Sequence, residues 1–237
     1  YAASNVNYSF TNQTDGTITI DGRVISFDDL SVGVGGFDLL VSTNRSFQFA
    51  GTSDTITFGD DAVANDNVDR VQSTTSSIVV DFISPTSSLV LNGGSGDDII
   101  TIGSNAGIDA QFVASVTVDG EAGSDSITLV AGLPTISALT TTSDYISPLP
   151  ALTIGAGGIS ITSNVGSIVV NGSLAVSGSL LFDTLTGDNI IVNSGAAVSA
   201  ADVTLKARHD VNLSSSVSGT NGISITDTSG EFLLING

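Results

Sequence analysis

Apolar and polar residues alternate with a period of two along most of the chain, in short runs separated by Gly, Asn, Asp or Ser. Residues 17–20, 78–82 and 203–205 are examples of such runs. Successive side chains of a β-strand point to opposite faces, so a strand with one buried face shows this alternation. No segment has the apolar stripe that a helix buries. The pattern therefore predicts an all-β protein with almost no helix.

Two short repeats favour stacked turns over separate sandwiches or a barrel. The pentapeptide Gly-Ile-Ser-Ile-Thr occurs at residues 158–162 and again at residues 222–226. Their separation of 64 residues suits three turns of about 21 residues or four of about 16. A second pattern, Asp-x-Ile-Thr-apolar, recurs at unequal intervals and is weakest in its last copy; it begins at Asp54, Asp98, Asp125 and Asp188. Such repetition predicts a right-handed parallel β-helix, a solenoid in which each turn covers the next.

The chain divides into four regions by composition and repetition. Residues 1–90 repeat least and contain an Asp21–Gly22 step that can close a hairpin, which predicts an N-terminal β cap or a small β-sandwich. Residues 91–132 form a calcium-repeat-like β region with two glycine- and aspartate-rich segments. Residues 133–150 contain three of the four prolines and are the predicted boundary, after which residues 151–237 form the most regular solenoid region.

Charge and composition narrow the range of partners. The chain has 24 acidic residues against 5 basic ones, a formal net charge of -19, and no cysteine. Neutralising phosphates requires clustered Lys and Arg, so we expect no nucleic-acid partner. No apolar run approaches the length of a transmembrane helix, so we expect no membrane insertion. The acids are Asp except for Glu121 and Glu231, and Asp is the carboxylate that turns and calcium loops prefer.

The sharpest local motif is a glycine-rich nonapeptide at residues 93–101, Gly-Gly-Ser-Gly-Asp-Asp-Ile-Ile-Thr. Its glycines let the backbone curl so that carbonyl groups can face a cation, while aspartate supplies charge. A degenerate copy at residues 120–128 has Glu121 in place of the second glycine. The candidate residues of a calcium site are Gly94, Gly96, Asp97, Asp98, Asp119, Gly123 and Asp125. The alternative is that Asp98 and Asp125 only cap tight turns between strands.

Two resemblances to bacterial extracellular proteins follow from these segments. The nonapeptide resembles the calcium repeat of the repeats-in-toxin family at every specified position, which implies calcium shared between successive turns. The matching Asp98 and Asp125 lie 27 residues apart, a multiple of nine, without a copy between them. From about residue 155 onward, segments such as Ala-Asp-Val-Thr-Leu at residues 201–205 resemble filamentous haemagglutinin-like adhesins and autotransporter passengers. That resemblance implies a right-handed β-helix at the bacterial surface, without an active site.

These features predict a secreted, non-enzymatic structural or adhesive β-solenoid segment of a bacterial surface or matrix protein, stabilised by calcium. We expect it to associate with itself or with neighbouring segments of the same assembly, because open solenoid ends invite strand pairing. The first alternative is an adhesin module that binds a glycan or another cell-surface ligand through its loops. The second is a β-helix enzyme that processes polysaccharides. It is disfavoured because the chain has no Trp, 3 Tyr and a single histidine, His209.

Overall fold

The computed structural model describes residues 2–12, 14–28, 36–50, 53–63, 65–75, 77–104, 108, 112–186, 188–228 and 233–235. These residues form strands and no helix, and the strands wind into a β-solenoid of about six turns with parallel sheets. The predicted all-β solenoid is confirmed.

The strands are short and evenly distributed, as the alternating pattern predicts. In chain order they are β1 (Ala3–Phe10), β2 (Gly16–Ile20), β3 (Arg23–Phe27), β4 (Gly36–Asp38), β5 (Ser42–Phe49), β6 (Thr55–Asp60), β7 (Val68–Ser73), β8 (Ile78–Ile83), β9 (Ser88–Asn92), β10 (Ile99–Ser104), β11 (Ser115–Asp119), β12 (Ser126–Leu129), β13 (Ile136–Ser143), β14 (Tyr145–Ile146), β15 (Leu152–Ser163), β16 (Ile168–Val170), β17 (Leu174–Val176), β18 (Leu180–Thr184), β19 (Ile190–Val192), β20 (Val198–Ala207), β21 (Val211–Leu213), β22 (Val217–Asp227) and β23 (Leu233–Ile235).

Three sheets form the walls of the solenoid. The first sheet runs the length of the molecule, from β3 through β2, β1, β5, β9, β11, β13, β15, β17 and β18, and β20 to β22. The second sheet contains β14, β12, β10, β6, β7, β8 and β4, and the third contains β16, β19, β21 and β23. Strands that stack in successive turns of the solenoid pair in parallel, so main-chain hydrogen bonds link each of these turns to the next.

The pentapeptide repeat spans three turns. Ile159 pairs with Leu180, Leu180 with Val203, and Val203 with Ile223. The alternative of three turns of about 21 residues is therefore correct, and that of four shorter turns is wrong. The first three copies of the Asp-x-Ile-Thr pattern also pair in register. Ile56 pairs with Ile100, and Ile100 pairs with Ile127. The hairpin of β7 and β8 lies between the first two copies and accounts for their wider spacing.

A β-hairpin lies at the amino-terminal end of the first sheet. Asp21 and Gly22 both have positive φ, 48° and 83°, and close the predicted hairpin between β2 and β3. This hairpin extends the first sheet by two antiparallel strands beyond β1. The same region contributes β1 and β5 to the parallel part of that sheet, and β5 pairs in turn with β9.

The predicted boundary at residues 133–150 does not interrupt the first sheet, because β13 pairs in parallel with both β11 and β15. What changes at this boundary is the sheet on the opposite side of the solenoid. The second sheet ends at β14, and a bridge between Leu149 and Val170 leads into the third sheet. From β15 onward each turn therefore presents strands to the first and third sheets.

One apolar core fills the solenoid from Ala3 to Leu213. Its amino-terminal half is rich in aromatic pairs: the stacked rings of Tyr8 and Phe47 have centroids 4.9 Å apart, and the edge-to-face rings of Phe58 and Phe112 have centroids 5.4 Å apart. Aromatic pairs at these distances stabilise a core beyond their buried area alone. The carboxy-terminal half is mainly aliphatic, with inward rows that alternate with polar outward residues.

A buried arginine, which the alternation does not predict, lies in this core. Arg45 occupies an inward position on β5 between Val6 and Leu89, and its side chain is fully buried. Its guanidinium donates to the Asp38 carboxylate and, at 2.7 Å, to the Leu40 carbonyl. Because an uncompensated buried charge is strongly destabilising, this ion pair ties the segment around β4 to the first sheet.

Replacing Phe182 tests the core assignment. Phe182 is wholly buried between Ile161 of the preceding turn and Leu205 of the next. Phe182→Ala is expected to lower the free energy of unfolding by about 3–5 kcal/mol, since it leaves a cavity in the stacked core. Leu185→Ala, at a side chain 51% exposed, is the control and should cost less than about 0.5 kcal/mol. Urea unfolding followed by circular dichroism measures both, and equal effects would contradict the assignment.

Candidate metal site: the aspartate column

The two glycine-rich segments form successive corners between the first and second sheets, stacked directly on each other. The Gly96 amide donates to the Ala122 carbonyl at 2.8 Å, and the Ala122 amide donates to the Gly94 carbonyl at 2.9 Å. Gly94, Gly96 and Gly123 all have positive φ, between 100° and 147°. A Cβ on Gly123 would overlap the Gly96 carbonyl, so the close stacking requires glycine there. The predicted glycines therefore shape the corners.

Four aspartates of successive turns form a column at this corner: Asp54, Asp98, Asp125 and Asp144. The backbone amide of Asp54 donates to Oδ1 of Asp98 at 2.7 Å, and the amide of Asp98 donates to Oδ1 of Asp125 at 2.9 Å. The amide of Asp125 continues the series to Oδ2 of Asp144 at 3.2 Å. The carboxylates of Asp98, Asp125 and Asp144 thus each accept an amide of the preceding turn, which is the capping role that short carboxylates perform in turns.

The sequence predicted Asp98 and Asp125 as candidate ligands and placed Asp54 in the repeated Asp-x-Ile-Thr pattern, but Asp144 was missed. The available signal was Asp144-Tyr-Ile-Ser, which matches the Asp-x-Ile-Thr pattern with serine in place of threonine. Asp188, proposed as the fourth copy, instead precedes β19 of the third sheet and lies outside the column. The first three copies of the Asp-x-Ile-Thr pattern therefore stack at this corner, and the copy that begins at Asp188 does not.

Asp54, Asp98 and Asp125 of the column are buried, and Asp144 is partly exposed. Asp98 is 1% exposed, and its Oδ2 has no hydrogen-bond partner. That oxygen lies 2.5 Å from the point that a Gly93 Cβ would occupy, and the Gly120 carbonyl oxygen lies 2.9 Å from the same point. A buried carboxylate oxygen and a carbonyl of the next turn therefore converge beside Gly93. Leaving such an oxygen without a partner is costly unless a proton or a cation reaches it.

Burial also governs the ionisation of the column. Burial, opposed by the hydrogen bond from the Asp54 amide and assisted by the nearby carboxylates of Asp125, Asp54 and Asp97, raises the pKa of Asp98 to about 6. Burial likewise raises the pKa of Asp125, with added repulsion from Asp144, Asp97 and Asp119. Mutual repulsion between these buried carboxylates makes the corner a place where a proton or a cation would be stabilising.

The remaining predicted ligands lie at the rim of the column. Oδ1 of Asp97 accepts the Ser124 amide at 2.9 Å, and Oδ1 of Asp119 accepts the Glu121 amide at 3.0 Å. In the part of the chain that the structure describes, no three His, Cys, Asp or Glu side chains form a group that could hold a metal ion. A calcium ion would thus depend on Asp98 Oδ2 and on carbonyl oxygens such as that of Gly120. Calcium accepts both oxygen types, in loose geometry.

The pH dependence of stability tests the buried state of Asp98. The folded protein holds the Asp98 proton up to pH about 6, whereas an unfolded aspartate releases it near pH 4. The stabilisation from this proton is therefore fully present below about pH 4 and is lost as pH rises through about 6. A shift of this size corresponds to roughly 3 kcal/mol. In calcium-free buffer, denaturant unfolding should show a free energy of unfolding that falls over this range.

Asp98→Asn should remove most of that slope, because the amide oxygen still accepts the Asp54 amide while the titrating group is gone. Asp202→Asn, at an exposed carboxylate on β20, is the control and should keep the slope. Because the pKa of Asp125 is also raised, part of the slope should remain in the Asp98 variant. A slope as steep as that of the wild type would contradict the assignment.

Comparisons of the chain with protein-family models, with curated proteins and with solved structures find no match. The resemblances to repeats-in-toxin proteins and to haemagglutinin-like adhesins therefore remain predictions from the sequence.

Proposed function

We propose that the chain is a non-enzymatic structural or adhesive β-solenoid segment of a bacterial surface or matrix protein, acting outside the cell and stabilised by calcium. The observation that carries the proposal is the continuity of one apolar core and one sheet through every turn. A rod built in this way transmits load along its axis through parallel main-chain pairing. Nothing in that architecture depends on a bound substrate.

The outer surface also favours stacking. Outward polar side chains of successive turns bond to each other, as in Asn44 Nδ2 to Asn5 Oδ1 at 3.0 Å and Ser88 Oγ to Asn44 Oδ1 at 2.8 Å. Farther along the axis, Asn193 Nδ2 donates to Asn171 Oδ1 at 2.7 Å. Such ladders add to the main-chain pairing between turns. The described residues include no helix suited to crossing a membrane.

Asp98 is the residue proposed to bind calcium through its side chain. When bound, the ion would supply two positive charges to a corner that holds several carboxylates and little compensation. Asp98 Oδ2 and the Gly120 carbonyl, which belong to adjacent turns, are the groups suited to hold it. An ion there would join the two turns and offset the repulsion between Asp98 and Asp125. Because cells keep cytosolic calcium scarce, such a segment would reach full stability only after export.

Calcium titration tests this role. Millimolar calcium is expected to raise the melting temperature of the wild-type protein at pH 7.5, and excess chelator to reverse the rise. A concentration 100 times the dissociation constant corresponds to about 2.7 kcal/mol of stabilisation. Asp98→Asn should lose most of the shift and Asp202→Asn should keep it. Calorimetry in buffered calcium measures both, and a wild-type melt unaffected by calcium or chelator would overturn the calcium part of the proposal.

A glycan-binding module is the second candidate, and one surface feature favours it. The first sheet has a concavity of about 370 Å³ near its carboxy-terminal end, lined partly by Ser177, Ser199, Thr220 and Asn221. Hydroxyl and amide groups are the partners that a neutral sugar requires, although the concavity has no aromatic platform.

A glycan array tests this candidate. The wild-type protein should bind a neutral glycan, and Thr220→Tyr should abolish binding because the exposed Thr220 side chain borders the concavity. Val63→Tyr, at another exposed position, is the control. An array without wild-type binding would rule the candidate out.

A further inference from the structure

The corners that follow the strands of the first sheet stack into one longitudinal edge of the solenoid, which we call the corner edge. Its members are residues 93–98, 120–125, 144, 164–167, 185–186, 188–189 and 208–210. Main-chain hydrogen bonds join these corners, as from the Leu185 amide to the Ser163 carbonyl at 3.0 Å. The first corner contacts Ser53 of an earlier turn, and the last is followed by Thr228 of a later one. The edge faces sideways from the axis, so further turns at either end would leave it uncovered.

Three exposed apolar side chains lie in consecutive turns near the middle of the corner edge. Tyr145 is 46% exposed, Val165 44% and Leu185 51%. They belong to the turns of β13, β15 and β18, which pair in parallel about 4.8 Å apart. The Tyr145 ring lies against the following turn, because its Cδ1 is 3.0 Å from the point that a Gly166 Cβ would occupy. A contiguous exposed apolar group indicates a contact surface, whereas a single exposed residue does not.

Charges of opposite sign lie on either side of this apolar group. Glu121 is exposed in the turn of β11, two turns before Val165, and the exposed Asp97 lies one turn farther away. Arg208 and His209 are exposed in the turn of β20, two turns after Val165. The corner edge therefore has an acidic end and a cationic end.

The Arg208 guanidinium is available to a partner. The neighbouring carboxylates of Asp188 and Asp210 are half-buried, and Lys206 on the adjoining strand is 3.6 Å from the Asp183 carboxylate. Among the described residues, no ion pair within the chain involves Arg208. A carboxylate of another molecule can therefore approach it, and guanidinium and carboxylate groups form strong paired hydrogen bonds.

The Glu121 carboxylate is held on the surface at the acidic end. Its Oε2 accepts Gln48 Nε2 at 2.9 Å. Glu121 has a positive φ of 66°, a conformation that residues other than glycine rarely adopt, and Gly94 occupies the equivalent position of the preceding turn. A charged residue at a position where glycine fits without strain indicates that its side chain has a role of its own.

Val165 lies at the centre of this arrangement. A second copy turned by 180° about an axis through Val165 runs antiparallel to the first, so each turn before Val165 meets a turn after it. Glu121 then lies opposite Arg208. Tyr145 lies opposite Leu185, and Val165 lies opposite its own counterpart. A parallel arrangement of the two copies would instead place like charges together, which disfavours it.

We propose that two copies of this chain form an antiparallel dimer through the corner edge. Its apolar centre consists of Tyr145, Val165 and Leu185, and an ion pair between Glu121 and Arg208 lies at each end. The two copies use the same surface, so the contact closes at two copies. Tyrosine and arginine are among the side chains that contribute most to protein contacts. This inference goes beyond the structural role proposed above and requires neither calcium nor a glycan.

The dimer should dissociate on dilution. The contact spans about 19 Å from the turn of Glu121 to that of Arg208, which is short for a permanent interface. Each copy also carries a formal charge of -19, and repulsion between the copies opposes association. Association should therefore be measured at high protein concentration and moderate ionic strength, with chelator present so that calcium does not bridge the carboxylates of two copies.

Sedimentation velocity on charge-reversed variants tests the proposal. The wild-type protein should dimerise as its concentration rises. Glu121→Arg and Arg208→Glu should each stay monomeric, because like charges then meet at both ends of the contact. An equimolar mixture of the two variants should form a heterodimer, since both pairs are then of opposite charge. This rescue distinguishes a lost contact from a misfolded variant.

Matched charge changes elsewhere on the chain are the controls. Asp202→Arg changes the net charge as Glu121→Arg does, at an exposed carboxylate on β20 outside the corner edge. Arg23→Glu matches Arg208→Glu, at an exposed position on β3. Both controls should dimerise like the wild type. Tyr145→Ser, which truncates the apolar centre without a change in charge, should raise the dissociation constant by about tenfold.

Cysteine cross-linking measures the register. The chain has no cysteine, and Val165 faces its own counterpart in the proposed dimer. Val165→Cys should therefore form a disulfide-linked dimer under mild oxidation. Val113→Cys, at a side chain 60% exposed and outside the corner edge, is the control and should cross-link in much lower yield.

Three results would overturn the proposal: a wild-type protein that remains monomeric at every concentration, a mixture of Glu121→Arg and Arg208→Glu that forms no heterodimer, or Val165→Cys that cross-links no better than its control. Wild-type species larger than a dimer would also contradict it, because a symmetric contact closes on itself. None of these results bears on the calcium-dependent melting temperature, which is a property of the single chain.

Discussion

Parallel main-chain pairing between successive turns is the interaction on which the rest of the structure depends. A single turn of short strands cannot bury an apolar face, and each turn becomes stable only when its neighbours supply hydrogen bonds and a covering row of side chains. The inward row from Leu89 through Val116 and Leu139 to Ile159 forms because the pairing keeps these residues in register.

The aspartate column is a second consequence of this stacking. The turns contain different numbers of residues, yet their corners align, so carboxylates widely separated in sequence become neighbours. Their hydrogen bonds to backbone amides stabilise the corner, while their burial and mutual repulsion destabilise the charged forms. The balance between these effects depends on whether a proton or a cation occupies the site.

The cap at the amino-terminal end shows how the solenoid departs from simple repetition. The chain reverses direction between β1 and β2 and again between β2 and β3. β3 therefore runs in the same direction as β1 and the rest of the sheet. Nearby, Arg45 replaces an apolar residue in the core, and its charge is compensated by Asp38 and by contact with the Phe82 ring, 5.1 Å from the guanidinium carbon. Alternation alone could not reveal this pair, because Arg45 lies at a position where the pattern calls for an apolar residue.

The sequence by itself determined the strand content, the Asp21–Gly22 hairpin and the glycine-rich corners, because these depend on side-chain alternation and backbone freedom within a few residues. The tertiary structure decided which strands pair, and hence that the 64 residues between the pentapeptides make three turns. It also decided that Asp144 joins the column and Asp188 does not. Those outcomes depend on the stacking of turns of unequal length, which local patterns do not encode.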